Sequence, residues 1–205
     1  MFGRNRLSKI LIGLIVIGFL GVSVLLGIAI HQRNCAQAFL RDLTNLRLGD
    51  STFADAQRLA EEYKGKPWGI SSQDTTCSAQ HCIFEFSFDN KPLRYLPWVR
   101  RVALGAGISV TDGHVVGREV GYECDTRSYY EFVYIVQEST QHKDPHQYGV
   151  KKLKLDAQGT PHVIEVTLGP MSAPEDRKRA YALDLSCLAR LHDCNTSSAI
   201  YPPGW

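Results

Sequence analysis

The chain has 205 residues and a net charge of only +2, from 23 Lys or Arg against 21 Asp or Glu. Three of the basic residues, Arg4, Arg6 and Lys9, precede the first apolar run, which leaves 20 basic and 21 acidic side chains in residues 31–205. A domain so close to neutral lacks the basic footprint of a nucleic-acid binder, and its length suits one core rather than two.

Ile10 to Ile30 is a run of 21 residues without a charge. As a helix it would span roughly 31 Å, close to the hydrocarbon core of a bilayer at about 30 Å. Residues 10–30 are therefore expected to form a transmembrane helix with the lipid bilayer as its partner. A cleaved signal peptide has a shorter apolar stretch followed by a small-x-small site. Gly27-Ile-Ala-Ile-His31 is a poor site of that kind, and Asn34-Cys35 lacks the small residue that precedes a lipoprotein cysteine. The segment reads as an uncleaved signal anchor. Its flanks set the orientation: the basic tail 1–9 stays in the cytoplasm. Residues 31–205 then form a periplasmic or extracellular domain of a single-pass protein of the cell (inner) membrane. Ser23 and Gly27 make a small-xxx-small pair, a spacing at which two helices can approach, so a homodimer is one partner to consider.

Beyond the anchor, Ala36, Phe39, Leu40, Leu43 and Leu46 form a helical stripe over 36–46. Gly49-Asp-Ser-Thr52 offers N-caps for a second helix from Phe53 to Lys64, which Gly65 is placed to stop. The period then changes to two. Ile83 to Phe88 alternates, with Phe84, Phe86 and Phe88 on one face. Gly107–Thr111 and His114–Gly117 flank Asp112-Gly113, a hairpin signal. Tyr129 to Glu138 is aromatic and β-branched. Val150–Leu155 and His162–Leu168 form another hairpin, in which Leu153 and Leu155 oppose Lys152 and Lys154, so one face should be wet. A last helix is expected over 174–191, capped by Ser172, with Ala180, Leu183, Cys187 and Leu191 inward. Tyr201-Pro-Pro-Gly-Trp205 can be neither helix nor central strand. The fold class is α+β: helices packed on one face of a mostly antiparallel sheet of about five strands.

All six cysteines, Cys35, Cys77, Cys82, Cys124, Cys187 and Cys194, follow the anchor. An even count in an exported domain suggests disulfides, although many pairings are formally open. Cys77 and Cys82 would close a small loop at a strand entrance. In one continuous helix Cys187 and Cys194 would lie about 10.5 Å apart along the axis. They can pair only if that helix ends and the chain turns back. Cys35 and Cys124 would then remain as a third pair.

Lys91-Pro-Leu-Arg-Tyr-Leu-Pro-Trp-Val-Arg-Arg101 is the most unusual stretch. Arg94, Arg100 and Arg101 stand among Tyr95 and Trp98, residue types enriched in binding patches and at membrane interfaces. The simpler alternative is a connection whose rings plug the core while its arginines stay wet. Cys77, His81 and Cys82 lack a second ligand pair for zinc. His142-Lys-Asp-Pro-His146 holds two histidines and an aspartate, but Pro145 denies them the helical spacing of a metal clamp. No nucleophile motif, phosphate loop or C-x-x-C is present. No catalytic, cofactor-binding or metal residue is therefore assigned. Arg177-Lys-Arg179 reads as a solvated helix face, and Asn195-Thr-Ser197 fits a glycosylation acceptor.

Leu48-Gly-Asp-Ser-Thr-Phe-Ala-Asp55, the Cys77/Cys82 loop and Leu185-Ser-Cys-Leu-Ala-Arg-Leu-His-Asp-Cys194 together resemble uncharacterised single-pass, membrane-anchored exported proteins of soil bacteria. That resemblance implies no known activity. The layout also resembles pilins, but it lacks their processing site and the acidic residue after it. The expectation is a membrane-anchored extracytoplasmic interaction or assembly domain. The alternative is an extracytoplasmic hydrolase built around His142, Asp144 or His146, or a ligand-binding sensor. A deep pocket gathering those side chains would favour the enzyme, and an exposed Trp98 and Tyr95 the interaction domain.

Overall fold

A computed structural model of the chain describes residues 4–68, 77–125, 130–192, 194 and 196–202. Helix α1 runs unbroken over Arg4–Asn45, 42 residues or roughly 63 Å. The apolar run and the stripe over 36–46 are thus one helix. His31 to Cys35 contains no Pro or Gly to break it, and the stripe continues in phase through Ala36 and Phe39 into the core. The run is long and apolar enough to cross a membrane. Ser23 stays satisfied within it by donating to the carbonyl of Phe19 at 2.9 Å.

Helix α2 covers Phe53–Tyr63. Thr52 caps it in a complete capping box: its hydroxyl accepts from Asp55 N–H, and Asp55 accepts from Thr52 N–H. The left-handed stop falls on Lys64, at φ 57°, not on Gly65. Gly65 serves a different need: a Cβ there would lie 2.5 Å from the Phe86 ring.

The strands are β1 Lys66–Trp68, β2 His81–Asp89, β3 Arg101–Thr111, β4 His114–Asp125, β5 Tyr130–Ser139, β6 Tyr148–Leu155 and β7 Pro161–Leu168. They form one sheet in the order β1-β2-β3-β4-β5-β7-β6. The α+β class is as expected, but the sheet has seven strands rather than about five, and one pairing, β5 with β7, is parallel. The reason lies in the last hairpin. Strand β7 buries Ile164, Val166 and Leu168 and takes the inner position. Lysine-rich β6 is left at the edge, where lysines discourage further pairing. The leucines of β6 do not mark a dry face: Leu153 and Leu155 are both exposed. The hairpin β3–β4 is far longer than its apolar alternation suggests, because glycines occupy its outward positions.

One sheet face is covered by the C-terminal part of α1, by α2 and by the 3-10 turn Leu185–Ala189. Phe39 packs on Phe86 and Phe88, with ring centroids 4.5 and 5.2 Å away. Helix α3 spans only Pro174–Ala180. Ser172 does not cap it; its hydroxyl donates to the Gln147 carbonyl at 2.6 Å. The helix ends early, a 3-10 turn capped by Asp184 follows, and the chain doubles back to bring Cys187 and Cys194 to a Cα separation of 5.7 Å.

Two disulfides form, Cys77–Cys82 and Cys187–Cys194. The third bridge does not. Cys35 sits half-buried on α1, 3.6 Å from His31 Nε2. Cys124 is buried on β4, and its thiol donates to the Cys194 carbonyl.

Candidate functional site

The face of the sheet opposite the helices is open. Paired residues point to the same side, so the register gives its rows directly. One row runs Ser87, Gly105, Gly121, Ile135, Glu165; the next runs Glu85, Gly107, Glu119, Gln137, Thr167. Side chains on β2 and β5 thus stand on either side of a strip paved by glycine on β3 and β4. A Cβ added at Gly105, Gly107 or Gly121 would meet nothing within 4 Å among the described residues. The result is a hollow of about 730 Å³ whose rim includes His81, Glu85, Ser109, Glu119, Gln137 and His142. Gln137 donates to Glu119 across β4 and β5 at 2.9 Å.

Beneath this face lies a buried charge network absent from the expectations above. Arg118 pairs with Glu138 at 2.7 Å, with side-chain exposures of 2% and 1%. Arg177 of α3 reaches the other oxygen of the same carboxylate at 2.8 Å. Arg118 also donates to the carbonyls of Leu43 and Leu46, at 2.6 and 3.0 Å. It therefore binds the last turn of α1, where helix carbonyls lack partners of their own. Its guanidinium lies 5.2 Å from the Tyr181 ring centre, and burial raises the Tyr181 hydroxyl pKa. Arg177 thus belongs to this network rather than to a solvated helix face.

The 91–101 segment joins β2 to β3 through a 3-10 turn, Lys91–Tyr95. Asn90 closes its base: the buried amide donates to the Arg100 carbonyl at 2.7 Å and accepts from Val102 N–H at 2.9 Å. Leu93 is the plug, with no exposed surface. Tyr95 and Trp98 point outward, 81% and 62% exposed. The rings therefore do not fill the core, as the simpler alternative would have it. Arg94, Arg100 and Arg101 line a hollow of about 590 Å³ with Trp98 and Asp125, and Arg101 lies 3.9 Å from Asp125.

The end of the sheet that carries this segment follows from contacts with α1. Arg118, paired with Ile108, meets Leu43 and Leu46, while Phe88, paired with Leu104, meets Phe39. Going back along α1 toward its N-terminus thus leads toward Arg101, Asp125 and the 91–101 segment. The apolar run emerges from that end. Ala29, within the run, has no exposed surface.

The three residues of a hydrolase reading do not converge. His142 is on the rim of the glycine-paved hollow. His146 Nδ1 instead lies 3.0 Å from the Met171 carbonyl, and the Asp144 carboxylate accepts from His146 N–H. Among the described residues no three His, Cys, Asp or Glu side chains come together as a metal site. Asn195 of the glycosylation motif, Tyr129 and residues 203–205 lie outside the described residues. Compared with known proteins, the chain matches no family model, no curated protein and no solved structure.

Proposed function

We propose that the protein is a single-pass, membrane-anchored interaction domain, held outside the cytoplasm by residues 10–30 and recognising a protein partner through the open face of its sheet. The observation that carries this reading is the glycine pavement. Gly105, Gly107 and Gly121 keep the strip clear, and approach to bare backbone is a common use of strand glycine. Glu85 and Glu119 stand exposed beside the strip, so the occupant is a segment bearing basic side chains. Two disulfides suit an oxidising compartment. The basic tail 1–9 suits a cytoplasmic N-terminus. The unbroken α1 carries the anchor rigidly into the core. A hydrolase gathers less support, since His142, Asp144 and His146 face different surroundings.

Site-specific photo-crosslinking in intact cells tests this. A photoreactive residue at Gln137 or Glu85 is expected to capture a discrete partner that one at Arg58, on the helix side, does not. Failure to capture at any open-face position, or the same products from Arg58, would contradict the reading.

A further inference from the structure

We infer that the 91–101 segment is a membrane-interface belt whose arginines bind the phosphates of anionic phospholipid headgroups and fix the domain's tilt on the bilayer. The inference rests on the reading of residues 10–30 as the span, and deepens it. Three observations carry it. The first is position. Phe39 packs on Phe88 and Phe86, the partners of Leu104 and Ala106, and the Arg101–Asp125 pair lies three to five residues further along β3, roughly 10–17 Å. The same distance along α1 is about seven to eleven residues, to between Gln32 and Ile28. The 91–100 connection lies beyond that, level with the end of the apolar run, and its 3-10 turn packs on α1 itself. Ala29 has no exposed surface, so the last turn of the run is covered on one side. No hinge intervenes between span and core, so the segment must meet the headgroup layer.

The second observation is chemistry. Among the described residues, Lys91, Arg94, Arg100 and Arg101 stand against Asp89, Glu123 and Asp125, so the segment keeps a small excess of positive charge. Guanidinium groups match phosphate oxygens in fork geometry. Anionic leaflets attract such clusters by about 1 kcal/mol per basic residue near the surface. The third is exposure. Tyr95 and Trp98 are among the most exposed rings outside the apolar run. Both are the amphipathic types that settle at headgroup depth. Asn90 and Leu93 hold the connection in shape beneath them, so the rings are presented without being part of the core.

The test uses the full chain in nanodiscs of phosphatidylcholine, with or without phosphatidylglycerol. Trp98 is left as the only tryptophan by Trp68→Phe and Trp205→Phe, and quenching by lipids brominated near the headgroup or near the chain end is measured. A control has Trp98→Phe as well, with Phe19→Trp as the sole tryptophan within the run. Trp98 is expected to be quenched by the shallow bromines, more so in phosphatidylglycerol. Arg94→Gln with Arg100→Gln should lower that quenching at least about twofold. Circular dichroism of the same samples checks that the fold is retained. An unquenched Trp98 beside a quenched tryptophan at 19 overturns the inference and leaves the span intact. If neither is quenched, the span itself is wrong. Quenching that ignores both phosphatidylglycerol and the arginine substitutions overturns the phosphate assignment.

Discussion

Arg118 and Glu138 face each other at 2.7 Å across β4 and β5, almost wholly buried, and Arg118 turns its remaining donors onto the end of α1. One side chain thus fastens the long helix to the sheet. Removing Arg118 leaves the buried Glu138 carboxylate with Arg177 as its one remaining cation and strips the Leu43 and Leu46 carbonyls of their donor, at a cost of about 3–5 kcal/mol. Arg118→Met should therefore lower the melting temperature of the detergent-solubilised chain by roughly 6–20 °C. A shift within a degree or two would mean that the helix is held by its apolar contacts alone.

The capping box of α2 makes an acid-dependent contribution. The backbone N–H and hydroxyl of Thr52 hold the Asp55 carboxyl below its usual range. A carboxylate with a lowered folded pKa stabilises fully above its unfolded value near about 3.9, and that stability is lost as pH falls through the folded value. Asp42 behaves likewise, held down mainly by the Tyr63 hydroxyl 2.6 Å away. Urea midpoints should fall below about pH 4, and Asp55→Asn should flatten part of that fall. Thr52→Ala is expected to cost about 1 kcal/mol at neutral pH.

Lys64 and Gly65 have exchanged the roles that a helix-stop reading assigns. Lys64 takes the left-handed position, so Lys64→Gly should be neutral or stabilising by up to about 1 kcal/mol. Gly65→Ala pushes a methyl into the Phe86 ring and should destabilise by about 1–3 kcal/mol. Chemical denaturation of the pair of variants reads both signs; the reverse order would place the stop at Gly65 after all.

The Tyr122 hydroxyl is buried without a hydrogen-bond partner among the described residues. Removing it removes an unmet polar group while keeping the ring, so Tyr122→Phe should match or exceed the parent in stability by about 1 kcal/mol. A loss of that size would reveal a bridging water.

Local patterns made much of this fold legible. The alternation of Phe84, Phe86 and Phe88 and the stripe of α2 stand where periodicity puts them, and the β6–β7 hairpin forms as expected but without the dry face that Leu153 and Leu155 suggested. What the pattern hid had physical causes. Gly105, Gly107, Gly117 and Gly121 supply no side chain to alternate, so β3 and β4 looked like short stubs. The same period-two glycines were the available sign of the open hollow. Strand β1 is exposed throughout and carries Pro67, so it shows no inward face. The parallel placement of β7 and the Arg118–Glu138 pair are both long-range choices. They are set by which strand buries more apolar surface and by which carboxylate lies across the ladder. Trp98 and Tyr95 stood out in the sequence, but their outward direction depended on Leu93 taking the core position instead.

The most direct measurement of the proposed topology is thiol labelling of intact cells with a membrane-impermeant maleimide, followed by mass analysis. Native protein should label on Cys35 alone, denatured unreduced protein on Cys35 and Cys124, and reduced protein on all six cysteines. Six thiols shielded in intact cells, yet all reactive after denaturing lysis without reductant, would put the domain in the cytoplasm and contradict the account at its centre.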